Sequence, residues 1–202
     1  MSKISFCVLV LFLAVSACSR KAEPDAASHT AANASAVPAV SAPAHPVSPP
    51  SSAHEVTWTD PTGWQRVAPS SSMRKATYKI PAAPKDPEDA EMAVFYFGPG
   101  EGGGTEANIQ RWIGQFADVK PSDVKRVERT PNGMKQTVVD VEGTYSGGMP
   151  GQQSTPKTNY RLVGAVVETP AGSYFFKLTG PKKTVDGARD AYLTLLDSVR
   201  SS

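Results

Sequence analysis

Asn159-Tyr160-Arg161-Leu162-Val163-Gly164-Ala165-Val166-Val167-Glu168, then Thr169-Pro170-Ala171-Gly172, then Ser173-Tyr174-Phe175-Phe176-Lys177-Leu178-Thr179 is the stretch that decides the fold. Two runs rich in β-branched and aromatic residues flank a Pro/Gly turn, which is the pattern of a β-hairpin. The preceding segment repeats it. Val124–Arg129, Thr130-Pro131-Asn132-Gly133 and Met134–Tyr145 read as another hairpin, because Asn-Gly supplies the positive φ angles of a tight turn. Hairpins join antiparallel neighbours, so the sheet built from these strands is antiparallel.

Further out, Met73–Ile80 alternates Ala76, Tyr78 and Ile80 with Lys75, Thr77 and Lys79, which predicts a half-buried strand with one wet face. Glu91–Phe97 is apolar on both faces and is expected near the middle of the sheet. A short strand is expected at Val56–Thr59, closed by Asp60-Pro61-Thr62-Gly63. Ile109, Trp112, Ile113 and Phe116 fall at i, i+3, i+4 and i+7, one stripe of a helix starting near Thr105. A last helix starts near Thr184, with Asp186 in its first turn, and buries Ala188, Tyr192, Leu195 and Val199. The expected order is three strands, a helix, four strands and a helix. This is an α+β domain over residues 55–202, a mainly antiparallel sheet of about six or seven strands covered by two helices. All Trp, Tyr and Gly residues of the chain lie in it, and its length suffices to bury roughly two thirds of the unfolded surface.

Pro61-Thr62-Gly63-Trp64 near the start and Phe176-Lys177-Leu178-Thr179-Gly180-Pro181 before the closing helix, with this order of elements, resemble the PsbP-like α-β-α sandwich. Ser72-Met73-Arg74 with Tyr78, and Asn108-Ile109, Arg111-Trp112 and Gln115-Phe116, are similar to a set of uncharacterised bacterial lipoproteins. The resemblance covers most of 55–202 and implies a binding or assembly module; its motifs are fold-like rather than catalytic.

The residues ahead of this domain carry a different message. Lys3 and the apolar run Ile4–Val15 have the size of a signal-peptide core, too short for a spanning helix, which takes ~20 apolar residues. Val15-Ser16-Ala17-Cys18 follows and resembles the lipobox of bacterial lipoproteins, which implies residues 1–17 as leader and Cys18 as the lipidated residue. Two or more acyl chains make a firm anchor, at ~0.8 kcal/mol per buried methylene. Ser19, where Asp would signal inner-membrane retention, points by the same resemblance to the periplasmic face of the outer membrane. Residues 19–54 contain 11 Ala, 7 Ser and 6 Pro and no aromatic residue, so residues 18–54 are expected to form a lipidated, flexible tether.

Composition excludes much chemistry. The cysteines are Cys7 and Cys18 and the histidines His29, His45 and His54, so 55–202 has no thiolate or imidazole for metal binding or for Cys- or His-dependent catalysis. Charge is nearly balanced, 21 basic against 19 acidic, which gives no footprint for nucleic acid.

Several motifs remain. Gly98-Pro99-Gly100-Glu101-Gly102-Gly103 formally matches a dinucleotide fingerprint, but the setting is antiparallel and Glu101 and Glu106 stand where pyrophosphate would sit. No cofactor is expected. Gly98, Gly100, Gly102, Gly103 and Gly104, with Gly147 and Gly148 of the polar stretch 146–158, are taken instead as partner-contact or lid loops. Ser72-Met73-Arg74-Lys75 matches the Ser-x-x-Lys of penicillin-binding enzymes but falls at the start of a strand, where residues three apart face opposite ways. Asp86, Glu88, Asp89 and Glu91 could gather oxygens for a hard cation, and solvated acids between strands are the plainer reading. Trp64, Trp112, Phe175 and Phe176 could form a sugar platform, although core burial accounts for them. The expectation is a membrane-anchored envelope lipoprotein acting as a non-enzymatic binding or assembly module for a protein or lipid. The alternative is an envelope hydrolase using carboxylate or Ser/Lys chemistry.

Overall fold

The structure is a computed structural model that describes residues 56–117, 119–147 and 155–201. Cys18, the leader, the tether and Gly148 lie outside the described residues.

The β-rich runs pair as their periodicity demands. The strands are β1 (Val56–Thr57), β2 (Gln65–Val67), β3 (Arg74–Ile80), β4 (Ala90–Tyr96), β5 (Phe116–Ala117), β6 (Lys125–Arg129), β7 (Gln136–Tyr145), β8 (Lys157–Thr169), β9 (Gly172–Pro181) and β10 (Arg200–Ser201). Helix α1 is Thr105–Ile113 and α2 is Lys182–Ser198. Eight strands form one sheet in the order β2-β3-β4-β9-β8-β7-β5, with β6 also paired to β7, and every pairing is antiparallel. The antiparallel α+β architecture stands, with one strand more than the sequence suggested. The strand expected at Val56–Thr59 is β1, two residues long and outside this sheet, and the unexpected pieces are β2, β5 and β10, each too short to carry a periodicity of its own.

The sheet divides two cores. On one face Tyr78, Met92, Val94, Phe176 and Leu178 pack under Val185, Ala188, Tyr192, Leu195 and Leu196 of α2. On the other, Ile109 and Trp112 of α1 cover Val139, Val141, Leu162, Val166 and Phe175. Gly164 leaves room for that second cover. A Cβ there would come within 2.5 Å of the Trp112 ring.

Helix α1 ends at Ile113, with Gly114 as its cap, so Phe116 is not on the helical stripe. It sits on β5 instead and still buries against the same core. Helix α2 starts two residues earlier than expected, and Asp186 reaches out to Lys182 and Arg161. Beneath it Asp140 of β7 accepts from Arg161 Nε at 2.7 Å and Nη2 at 2.5 Å, while Arg189 of α2 lies 3.5 Å away. At the far end of α2, Gln136 Nε2 donates to the Leu196 carbonyl at 2.9 Å. Val199, expected as the last buried helical residue, caps the helix and stays buried.

The first and last strands close a separate clasp. β1 pairs with β10, Val56 opposite Ser201 and Thr57 opposite Arg200. The Thr59 amide donates to Ser198 Oγ at 2.8 Å, and Asn132 Nδ2 from the β6–β7 turn donates to the Asp197 and Val199 carbonyls at 2.7 and 2.9 Å. Asn132 and Gly133 take φ of 54° and 76°, as the Asn-Gly reading of that turn requires.

Candidate functional site

Because α1 is only nine residues long, it cannot roof the whole face it lies on. Where β4 and β9 run out from under it, a cleft of about 160 Å³ opens, lined by Phe95, Phe97, Asn108, Arg111, Trp112, Gln115, Phe175 and Lys177. The strands supply its floor, since residues two apart share a face: Phe95 and Phe97 from the β4 end, Phe175 and Lys177 from β9. The Phe95 and Phe97 rings are stacked at 6.3 Å, and Phe97 meets Phe175 edge-on at 5.7 Å. Phe97 is one of the few large apolar side chains left exposed.

The polar groups arrive from α1 and its neighbours. Asn108, 2% exposed, donates through Nδ2 to the carbonyls of Gly102 at 2.8 Å and Gly104 at 3.0 Å, and its Oδ1 accepts from Arg111 at 2.9 Å. One buried amide thus straps the glycine loop to the helix and aims a guanidinium along the rim. Lys177 Nζ donates to Gln115 Oε1 at 2.7 Å and to the Tyr145 hydroxyl at 3.4 Å, and lies 5.7 Å from the Tyr145 ring centroid. Burial, together with the charge of Arg74, pulls the Lys177 ammonium down to about 8 against an opposing pull from Glu91. Burial also pushes the Tyr145 hydroxyl up, helped by the charge of Glu91. Arg74 closes the outer side, its guanidinium 5.0 Å from the Phe95 ring centroid and 2.9 Å from Glu91.

The glycine stretch forms the rim of this cleft. Gly98, Gly100, Gly102 and Gly103 all have positive φ, and a Cβ on Gly102 would come within 2.6 Å of Phe97 and 2.9 Å of Phe175. Only glycine satisfies both the backbone angle and the contact there. Gly104 precedes the first turn of α1. Gly147 lies against the ring and hydroxyl of Tyr145, the hydroxyl that faces Lys177.

The other motifs disperse. Asp86 Oδ2 accepts from the Thr184 amide at 2.8 Å and its hydroxyl at 2.6 Å, a cap for α2 supplied from a distant loop. Glu88 takes Lys157 and Tyr160, Asp89 accepts from the Ala82 amide, and Glu91 pairs with Arg74. Among the described residues no group of three His, Cys, Asp or Glu side chains converges to hold a metal. Ser72 lies in the turn before β3 and Lys75 sits over the Tyr96 ring at 5.4 Å, so they are not helical neighbours. Of the four aromatic candidates, Trp112 and Phe175 meet at the cleft. Phe176 and Trp64 belong to the α2 side, where a separate cleft of about 290 Å³ is lined by Val56, Thr57, Trp58, Arg66, Lys75 and Tyr174. There Tyr78 donates to Asp60 and accepts from Trp58 Nε1 at 2.9 Å; burial first and the Asp60 bond second push its hydroxyl up to about 12.

Sequence reasoning missed Lys177 as a site residue. Its available signal was one lysine inside the run Tyr174-Phe175-Phe176-Lys177-Leu178, where an isolated charge among apolar residues marks a position under local pressure.

Comparison with known proteins reaches only solved structures. No family model matches the chain, and no curated protein matches it. A Pseudomonas aeruginosa protein of unknown function, PA94, is 12% identical over 60% of this chain and 78% of its own, with TM-score 0.40. Cyanobacterial PsbP (CyanoP) from Synechocystis is 11% identical over 73% and 86%, with TM-score 0.45. LpqN of Mycobacterium tuberculosis, described as involved in cell envelope biogenesis, is 14% identical over 74% and 84%, with TM-score 0.47. The α+β sandwich itself is read from the strand pairings above.

Proposed function

We propose that this chain is an envelope lipoprotein, anchored through acylated Cys18 on the periplasmic face of the outer membrane, whose domain is a non-enzymatic binding module. The anchor reading rests on the lipobox-like Val15-Ser16-Ala17-Cys18 after a short apolar core. A tether of 36 residues between Cys18 and Glu55 gives a mean reach of roughly 30 to 36 Å as a coil. No described helix is long and apolar enough to cross a membrane.

The observation that carries the binding reading is the α1-side cleft, in which four aromatic walls meet a small set of converging polar groups from β9, α1 and the turn after α1. Its partner inserts an apolar group between Phe95, Phe97, Trp112 and Phe175 and presents a polar end to Lys177, Gln115 and Arg111. The acids that a hydrolase would need are engaged separately with Thr184, Lys157, Ala82 and Arg74, which favours binding over hydrolysis.

The test is site-specific photocrosslinking in cells. A benzophenone side chain replacing Phe97 captures a discrete partner, whereas one replacing exposed Val127 on β6 does not. Equal capture at both positions refutes the cleft as the binding face. Cys18→Ala abolishes incorporation of labelled fatty acid and releases the chain from the membrane fraction; unchanged partitioning refutes the anchor.

A further inference from the structure

Lys177 differs in its surroundings from the lysines that form ion pairs. Lys157, Lys182 and Lys135 each lie against carboxylates, at 2.6 Å from Glu88, 2.8 Å from Asp186 and 3.8 Å from Glu128. Lys177 instead hydrogen-bonds two neutral oxygens, those of Gln115 and Tyr145, at the bottom of an aromatic cleft. The charged and titratable groups around it come from every packed element: Arg74 on β3, Glu91 on β4, Tyr145 on β7 and Arg111 on α1. Glu91 is the only acid in that set, and its carboxylate is bonded to Arg74. An amine that is desolvated and lacks a contacting carboxylate gives up its proton more readily than an exposed lysine, and the neutral form is the nucleophile.

The walls select what this amine meets. Phe95, Phe97, Trp112 and Phe175 accept a flat apolar body, which leaves its polar end at Nζ. A carboxylate at that end would favour the ammonium. A carbonyl carbon uses the neutral amine.

We propose that Lys177 captures aromatic and other apolar aldehydes as an imine inside this cleft, an inference that rests on the cleft being the binding site. The Nζ lone pair attacks the carbonyl carbon, so a C–N bond forms while the carbonyl π pair moves to oxygen. A proton passes from nitrogen to that oxygen and gives a carbinolamine. The C–O bond then breaks, the nitrogen lone pair closes the C=N bond, and the oxygen leaves as water. One amine and one aldehyde yield one imine and one water, with no oxidant or reductant. The Tyr145 hydroxyl, kept protonated by its burial, is 3.4 Å from Nζ and placed to protonate the departing hydroxyl and recover a proton from nitrogen.

The test uses the full chain with benzaldehyde and sodium cyanoborohydride, which fixes an imine as a benzylamine, at the pH of about 8 where Lys177 titrates. Peptide mapping then counts benzylation at each lysine. An ordinary lysine is neutral in less than about 1% of molecules at that pH, so Lys177 is expected to exceed exposed Lys75 and Lys79 at least about tenfold. Glyceraldehyde, which lacks an apolar body, shows no such preference. Tyr145→Phe keeps the ring, slows labelling at Lys177 and leaves labelling at Lys75 unchanged. Labelling that follows exposure, with Lys75 and Lys79 ahead of Lys177, overturns the proposal. Benzyl alcohol, which fits the cleft and cannot condense, separates two failures. If it shifts the Trp112 indole N–H resonance while the aldehyde leaves Lys177 unmodified, the imine is wrong and the cleft remains a binding site. If it shifts nothing and Lys177 stays unmodified, both are wrong.

Discussion

The two faces of the sheet share the same strands and are finished differently. One lies under a helix of 17 residues that buries Thr184, Val185, Ala188, Tyr192, Leu195 and Leu196. The other lies under a helix of nine that buries Asn108, Ile109 and Trp112. At 1.5 Å per residue the first helix spans about 25 Å and the second about 13 Å, so α2 covers more of its face than α1 does of the other. The cleft of about 160 Å³ opens at the edge of the short cover, whereas the cleft of about 290 Å³ on the α2 face is lined from β1, β2, β3 and β9 and by no residue of α2. The longer roof also tolerates buried charge, because Arg161 hydrogen-bonds Asp140 and pairs with Asp186, while Arg189 Nε lies 3.5 Å from Asp140 with no hydrogen bond of its own.

This contrast can be broken, and the largest effect belongs to the closed side. Asp140→Ala leaves Arg161 and Arg189 without their shared carboxylate at a site only 6% exposed, and should cost about 3–5 kcal/mol in urea unfolding. Gly164→Ala forces a methyl into the Trp112 ring and should cost about 1–3 kcal/mol, with α1 shifting off the sheet in amide exchange. Asp86→Ala removes the borrowed cap of α2, a loss of about 1 kcal/mol that Asp86→Asn largely restores.

The open side responds to pH. Lys177 is held below its ordinary value, so between about 8 and 10.5 the unfolded chain binds the extra proton and the folded chain does not. Stability should rise with pH across that window, before Tyr78, raised to about 12, begins to lower it. Lys177→Met should flatten the rise in urea midpoints. Phe97→Ala, at 37% exposure and packed on Phe95 and Phe175, should cost about 0.5–1.5 kcal/mol while removing benzyl alcohol binding.

The closed side was the legible one. Ala188, Tyr192 and Leu195 follow a helical period that α2 keeps, and the β6–β7 hairpin carries its turn chemistry at Asn132-Gly133. The open side was not legible as a site. Phe116 continues the α1 period past Gly114, yet the chain leaves the helix there and the residue lands on a strand. The glycine loop was visible as a loop, but its relation to Phe175 and Lys177 depends on β4–β9 register, and those residues are about 75 apart along the chain from Gly102. The acids at 86–91 look like a cluster only in one dimension; folding sends each to a partner from a different element.

The clasp of β1 on β10 has a mechanical meaning. A pull applied ahead of Val56 would load two backbone pairs and the Thr59–Ser198 bond, at the C-terminal end of α2, before any strand of the large sheet. The clasp is the fuse in that arrangement. β4 and β9, which shape the cleft, pair with each other over six residues and with neither strand of the clasp, so a pull applied ahead of Val56 would meet the clasp before the cleft.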